Sequence, residues 1–281
     1  MISIVTPSLE QVQWLRLCIA SVADQERVRV EHIVQDGGTR EISQNILPEG
    51  PGKHDYNLQL YVEKDAGMYD AVNRGLARAS GDVCAYLNCD EQYLPGVLHE
   101  IMNYFGRNPA VDVLFGDAIL VNEDGNPLAY RRAILPSLSH LRLADLNTLT
   151  CATFFRRRLV DAGFRFPTHL RIAGDQHWVF HLLKAGIKMG VMRQPLSVFT
   201  FTGANLSNSR WAEKEKFGWL PSSETPNRWM TPAIVSWHRV KKLFAGAYRR
   251  RDLTIEIYTR ASPDRRCMIS ASGIGFRWPK S

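Results

Sequence analysis

The chain has 281 residues, 45% of them hydrophobic and 22% charged, which suits one large globular domain or a domain with an extension and excludes a disordered chain. No apolar run reaches the ~18 residues needed to span a bilayer, and the first residues enter a strand without a charged leader, so no secretory signal is expected. The net charge of +7 is uneven: from Arg228 to Ser281 twelve basic residues face three acidic ones, so the excess belongs to the C-terminal part and not to the rest.

In chain order, residues 2–6 read as a strand and 12–23 as a helix with Leu15, Ile19, Val22 and Ala23 on its inner face. Residues 32–35 read as a second strand, ending in Asp36-Gly37-Gly38-Thr39; residues 48–57, rich in Gly and Pro, read as a loop, and 58–62 as a third strand. Met68, Ala71, Val72, Gly75, Leu76 and Ala79 then recur at helical spacing as one apolar stripe, which leaves Asp70, Asn73 and Arg74 on the polar face. Gly81-Asp82 ends that helix, and the apolar run 83–87 has the look of a buried strand. A helix over 94–105, strands over 111–115 and 118–121, and a hairpin turn at Asp124-Gly125 follow. Residues 148–155 read as extended, 156–162 as a short helix, 174–186 as a longer one with Trp178, Val179, Leu182 and Leu183 apolar, and 197–201 as a late strand. The C-terminal part begins with a helix over 234–248, followed by Arg249-Arg250-Arg251, strands over 253–258 and 267–270, and a Gly-rich aromatic run. Strands alternating with helices predict an α/β fold with a mostly parallel central sheet.

Cys18, Cys84, Cys89, Cys151 and Cys267 are odd in number and lack C-x-x-C spacing, so they read as reduced thiols of a cytosolic protein and not as a zinc site. Asp90 and Glu91 follow the 83–87 strand directly, at the carboxyl edge where open α/β sheets bind ligands. Carboxylates there are suited to holding a divalent cation against a diphosphate.

Two linked motifs carry a resemblance. Asp65-Ala66-Gly67-Met68-Tyr69-Asp70-Ala71-Val72-Asn73-Arg74-Gly75 and the later Gly81-Asp82 with Leu87-Asn88-Cys89-Asp90-Glu91 resemble the nucleotide-sugar-binding core of inverting glycosyltransferases of family 2, of the bacterial polysaccharide-biosynthesis type. The resemblance covers roughly residues 1–205 and implies a GT-A fold there, with 206–281 as a C-terminal extension of basic helix and short strands. It implies that Thr6 and Pro7 floor a nucleobase, most simply the uracil of a UDP-sugar, and that Asp36 and Asp65 contact the nucleoside. Asp70, Asn73, Arg74 and Asn88 would complete the donor-binding set. Asp90 and Glu91 would be ligands of Mn²⁺ or Mg²⁺. Asp175, in Gly174-Asp175-Gln176-His177, would be the catalytic base.

Each of these has a plainer reading. Asp36 could close an Asx-turn, Asp65 or Asp175 could N-cap a helix, and Asp70 could pair with Arg74. This chain also departs from the family pattern. Arg40 and Glu41 stand where a second Asp is usual, only one carboxylate of the D-x-D triplet remains, Thr150-Cys151 replaces His-Gln, and Gly203-Ala204-Asn205-Leu206-Ser207 has lost one Gly. The acceptor expected from the resemblance is a saccharide or lipid-linked saccharide. The basic, aromatic C-terminal part could dock on an anionic membrane, which would place the protein peripherally on its inner face. That part could equally be a solvated cover or an oligomer contact. No nucleic-acid motif is present. A non-catalytic nucleotide-sugar or saccharide-binding protein is the alternative from another class, and a nucleotidyltransferase would need a Gly-rich basic loop that residues 5–13 lack.

Overall fold

A computed structural model describes residues 1–39, 55–144, 146–202, 215, 218–220, 224 and 228–279. The expectations for Arg40, Glu41, most of the 48–57 loop, the Gly203–Ser207 turn and the 205/206 boundary lie outside these residues.

Parallel strands β1 (Ile2–Ser8), β2 (Val30–Asp36), β3 (Tyr56–Val62) and β4 (Val83–Tyr86) form the first half of a nine-stranded sheet, in the order β3-β2-β1-β4. Helix α1 (Val12–Ala23) joins β1 to β2, and α2 (Met68–Arg78) joins β3 to β4. In-register parallel pairing, with Val5 opposite both Ile33 and Tyr86, puts the carboxyl ends of β1, β2 and β4 on one edge. β1, β2 and β4 are buried along their whole length, which accounts for the unbroken apolar run of β4, while β1 and β2 carry polar residues such as Thr6, Glu31 and His32 into the interior.

The second half is mixed. After β5 (Glu91–Tyr93) and α3 (Val97–Arg107) come β6 (Val113–Asn122), β7 (Pro127–Arg131), β8 (Thr153–Arg156) and β9 (Met189–Phe201), and the order continues β4-β8-β6-β9-β5 with β7 on β6. The two strands expected over 111–115 and 118–121 are one. β9 pairs in parallel along the whole of β6 and absorbs the irregularity as a register shift at Gly116 and Asp117. For the same reason β9 starts at Met189, well before the expected residue 197. The stretch expected to be extended from 148 contains a 3-10 turn at Thr150–Ala152 before β8.

Short helices α4 (Leu138–Leu141) and α5 (Arg157–Asp161) precede α6 (Gly174–Lys184). Two cores lie on the two faces of the sheet. One gathers Ile4, Cys18, Leu98 and Val121, and the other Val5, Val72, Phe155, Trp178 and Leu182. The C-terminal part consists of α7 (Thr231–Phe244) and a hairpin of β10 (Arg251–Thr259) and β11 (Ser262–Ile274). Ile255 and Ile257 of the hairpin join the first core, and Gln92 exchanges two hydrogen bonds with the Tyr258 backbone, both at 2.9 Å. Among the described residues no helix is long and apolar enough to cross a membrane.

Candidate active site

A cleft of about 410 Å³ opens at the carboxyl edge of β1 and β4. Its walls include Pro7 and Ser8 at the end of β1, the start of α2, the Asn88-Cys89-Asp90 turn after β4, and Arg171, Ile172 and Asp175 around the start of α6.

On the β1–β2 side the expected nucleoside contacts separate. Pro7 lines the cleft, whereas the Thr6 hydroxyl is buried 2.9 Å from His32 Nε2. Asp36 closes an Asx-turn: its Oδ1 accepts the Gly38 and Thr39 amides at 3.0 and 2.6 Å, and its Oδ2 accepts the Thr39 hydroxyl at 2.8 Å. That turn abuts Asp65. A Cβ on Gly37 would lie 3.0 Å from Asp65 Oδ2, so the glycine lets the two loops meet.

Asp65 lines the cleft and accepts the Gly67 amide at 2.9 Å; the N-cap residue of α2 is Gly67, not Asp65. Asp70, Asn73 and Arg74 lie outside the lining. Asp70 accepts the Ala66 amide at 3.0 Å and pairs with Arg74 at 2.8 Å, while Arg74 also donates to the Lys64 carbonyl at 3.0 Å. Asn73 clamps Phe166, giving to its carbonyl at 2.8 Å and taking from its amide at 3.0 Å. Phe166 in turn stacks between Tyr69 and Trp178, so this face of α2 braces the segment leading to α6.

The acidic turn is the electrostatic centre. Asn88 and Asp90 line the cleft, and Glu91, at the start of β5, is almost wholly buried and off the lining. Glu91 Oε2 accepts the Asn88 amide at 2.8 Å, whereas its Oε1 and the Asn88 Oδ1 are buried without a hydrogen-bond partner. Burial pushes both the Asp90 and Glu91 carboxyls up, and the nearby Asp90 charge raises Glu91 further. Buried oxygens that lack partners, beside carboxylates that resist ionising alone, fit a hard divalent cation with oxygen ligands. Among the described residues no group of three or more His, Cys, Asp or Glu could hold a metal by itself.

Asp175 also lines the cleft and sits inside the first turn of α6; the N-cap residue is Ala173, so Asp175 does not cap the helix. Its Oδ1 accepts the Gln176 amide at 2.7 Å. Tyr69 holds this turn. Its hydroxyl donates to the Ile172 carbonyl at 2.9 Å and accepts the Asp175 amide at 3.2 Å, and a Cβ on Gly174 would come within 2.4 Å of its ring. Glu215 accepts the Arg171, Ile172 and Ala173 amides from the other side, with Ile172 closest at 2.8 Å.

Tyr69, Gln11, Thr150, Arg171 and Phe199 line the cleft without having been singled out from the sequence. Tyr69 stands inside the first motif and Thr150 at the departing His-Gln position, so both had a signal; Arg171 and Phe199 had none.

The model of the family described as glycosyl transferase family 2 matches residues 3–162. The teichuronic acid biosynthesis glycosyltransferase TuaG of Bacillus subtilis, named as putative, is 22% identical over 216 residues, 77% of this chain and 85% of that one. A PGL/p-HBAD biosynthesis glycosyltransferase of Mycobacterium tuberculosis is 27% identical over 183 residues, 65% of this chain and 68% of that one. Among solved structures, S. aureus TarS 1-349 in complex with UDP-GlcNAc superposes with a TM-score of 0.58 at 19% identity, covering 74% of this chain and 61% of that one. The Pyrobaculum calidifontis mannosyltransferase PcManGT, in complex with GDP-Man and Mn2+, gives 0.55 at 15% identity, covering 88% and 73%.

Proposed function

The chain belongs to glycosyl transferase family 2 and is a glycosyltransferase of the GT-A fold, and we propose that it moves a sugar from UDP to a saccharide or lipid-linked saccharide with inversion at the anomeric carbon. One observation supports this reading most: Asp90 and Asp175 line the same cleft, one from the turn at the sheet edge and one from a helix start. One cleft would then hold both the carboxylate beside a diphosphate and a proton acceptor, the two groups an inverting displacement requires.

Pro7 and Asp65 flank the nucleoside, with Asp36 shaping the loop beside them. The residues that would hold a divalent cation are Asp90 and Asn88, with Glu91 behind them, and such an ion, when bound, supplies charge neutralisation on the departing diphosphate. Asp175 takes the proton from the acceptor hydroxyl as its oxygen bonds to the anomeric carbon and the bond to the nucleoside diphosphate breaks on the opposite side. Thr6, Asp70, Asn73 and Arg74 act on the donor site by bracing its walls.

The test is transfer from UDP-sugars, assayed by UDP release with a panel of saccharide acceptors. Asp90→Asn and Asp175→Asn are each expected to lower turnover by roughly 10²-fold or more while the fold persists, the scale of a positioned base. Retained turnover in Asp175→Asn would remove it as base.

A further inference from the structure

Helix α7 is amphipathic but inside out. Trp237, Val240 and Phe244 follow helical spacing along one stripe, and that stripe faces solvent: Trp237 is 62% exposed, and Phe244 is 87% exposed. Leu243 beside them is 64% exposed, and Trp229, one turn before the helix, 78%. The opposite side is held to the body by polar contacts and small residues. His238 is buried and stacks on His140 of α4 with ring centroids 3.5 Å apart, the Arg132 guanidinium donates to the Ala245 carbonyl at 3.0 Å, and Ala245 and Ala247 pack with Ile134. The stripe therefore keeps much of its apolar surface outside the packing of the described residues, with Trp237 only partly covered beside Ser137 and His140 and Val240 36% exposed. Exposed apolar patches of this kind mark interaction surfaces.

The charge around the stripe selects the partner. Residues 225–251 contain seven basic residues and no acidic one, and Arg239 on the helix and Arg249 and Arg250 just after it are exposed. A second copy would set this cationic face against its equal. A bilayer with anionic headgroups offers both what the cations need and an apolar interior for the rings. The helix is also connected to the chemistry. α7 packs on α4 and α4 on α6, where the Gln176 amide donates to the Leu141 and Ala144 carbonyls at 3.1 Å, one residue from Asp175.

We propose that the outward face of α7, with Trp229 and Arg249-Arg250, is a docking surface for an anionic lipid bilayer. This deepens the lipid-linked-acceptor reading of the proposed function, since it brings the base-bearing helix to the surface where such an acceptor resides.

The experiment is co-sedimentation of the full chain with vesicles of phosphatidylcholine alone or with phosphatidylglycerol added, at low and high salt. Binding only to the anionic vesicles, weakened by salt, is expected. Arg249→Gln with Arg250→Gln should lower partitioning by roughly tenfold or more, from about fivefold for each cation at an anionic surface. Trp237→Ser with Phe244→Ser should lower it comparably, and circular dichroism should show both variants folded, because these side chains are exposed. Absence of binding to either vesicle would overturn the proposal. So would a concentration-dependent dimer that the Trp237→Ser, Phe244→Ser variant abolishes, because the face would then belong to a second copy. Neither outcome touches transfer to a soluble acceptor, so failure here is distinguishable from failure of the donor-site reading.

Discussion

Tyr69 makes two hydrogen bonds that fix the first turn of α6, one on each side of Gly174. Burial pushes its phenol well up, so it stays a neutral hydroxyl able to donate to Ile172 and accept from Asp175 at once. Tyr69→Phe should therefore lower kcat by roughly 10- to 100-fold through misplacement of Asp175, with the KM for donor little changed. An unaltered kcat would show that Glu215 and Gly174 alone position the turn. His32 is a second residue whose state the fold dictates. Buried between Thr6 and Tyr56, it is held neutral, its value brought down by burial from 6.5 to about 3. On unfolding it would take up a proton below pH 6.5, so its contribution to stability is present above 6.5 and is lost as pH falls from there toward 3. The raised carboxyls of Asp90 and Glu91 work in the other direction, the folded state keeping their protons to higher pH. The readout is thus a difference: urea unfolding at pH 7.5 and pH 5 should show a smaller acid loss in His32→Gln than in the wild type.

At the scale of elements, the β6–β7 region ties the catalytic half to the C-terminal part through one buried charge pair. Asp117 is fully buried and accepts the Arg132 guanidinium, the Tyr130 hydroxyl at 2.6 Å and the Ala133 amide at 2.8 Å. Removing one member leaves the other charge uncompensated, so Asp117→Ala should cost about 3–5 kcal/mol in urea unfolding. A loss below about 1 kcal/mol would mean that Arg132 is satisfied by the Ala245 and Arg193 carbonyls alone. Which elements form was largely legible from residue pattern. The helices over Val12–Ala23 and Met68–Arg78 follow from apolar stripes, and the strand Val83–Tyr86 from an unbroken apolar run. The merger of two expected strands into β6 was not legible, because it depends on a partner, β9, nearly 80 residues away. The N-cap alternatives for Asp65 and Asp175 failed on similar grounds: the helices begin where Gly67 and Ala173 put them, and tertiary contacts through Tyr69 and Phe166 set those starts. Glu91 follows Asp90 directly in the sequence, and only the packed structure shows that its side chain is buried behind the cleft lining and not in it.

For the whole molecule, one sheet edge collects the chemistry, and the C-terminal hairpin closes the far side of the same core. Pro7, Asp65, Asn88, Asp90 and Asp175 come from segments spread over some 170 residues, and the parallel register of β1 with β2 and β4 brings most of them to one cleft. The central claim is that this cleft binds a uridine nucleotide together with a divalent cation at Asp90. The most direct measurement is the melting temperature with UDP, GDP or ADP, each with Mn²⁺ or with chelator, for the wild type and Asp90→Asn. A nucleotide at 100 times its dissociation constant stabilises by roughly 2.7 kcal/mol, enough to resolve easily. A UDP-selective rise that needs Mn²⁺ and disappears in Asp90→Asn is the predicted result. No rise with any nucleotide, or one that Asp90→Asn leaves intact, would contradict it.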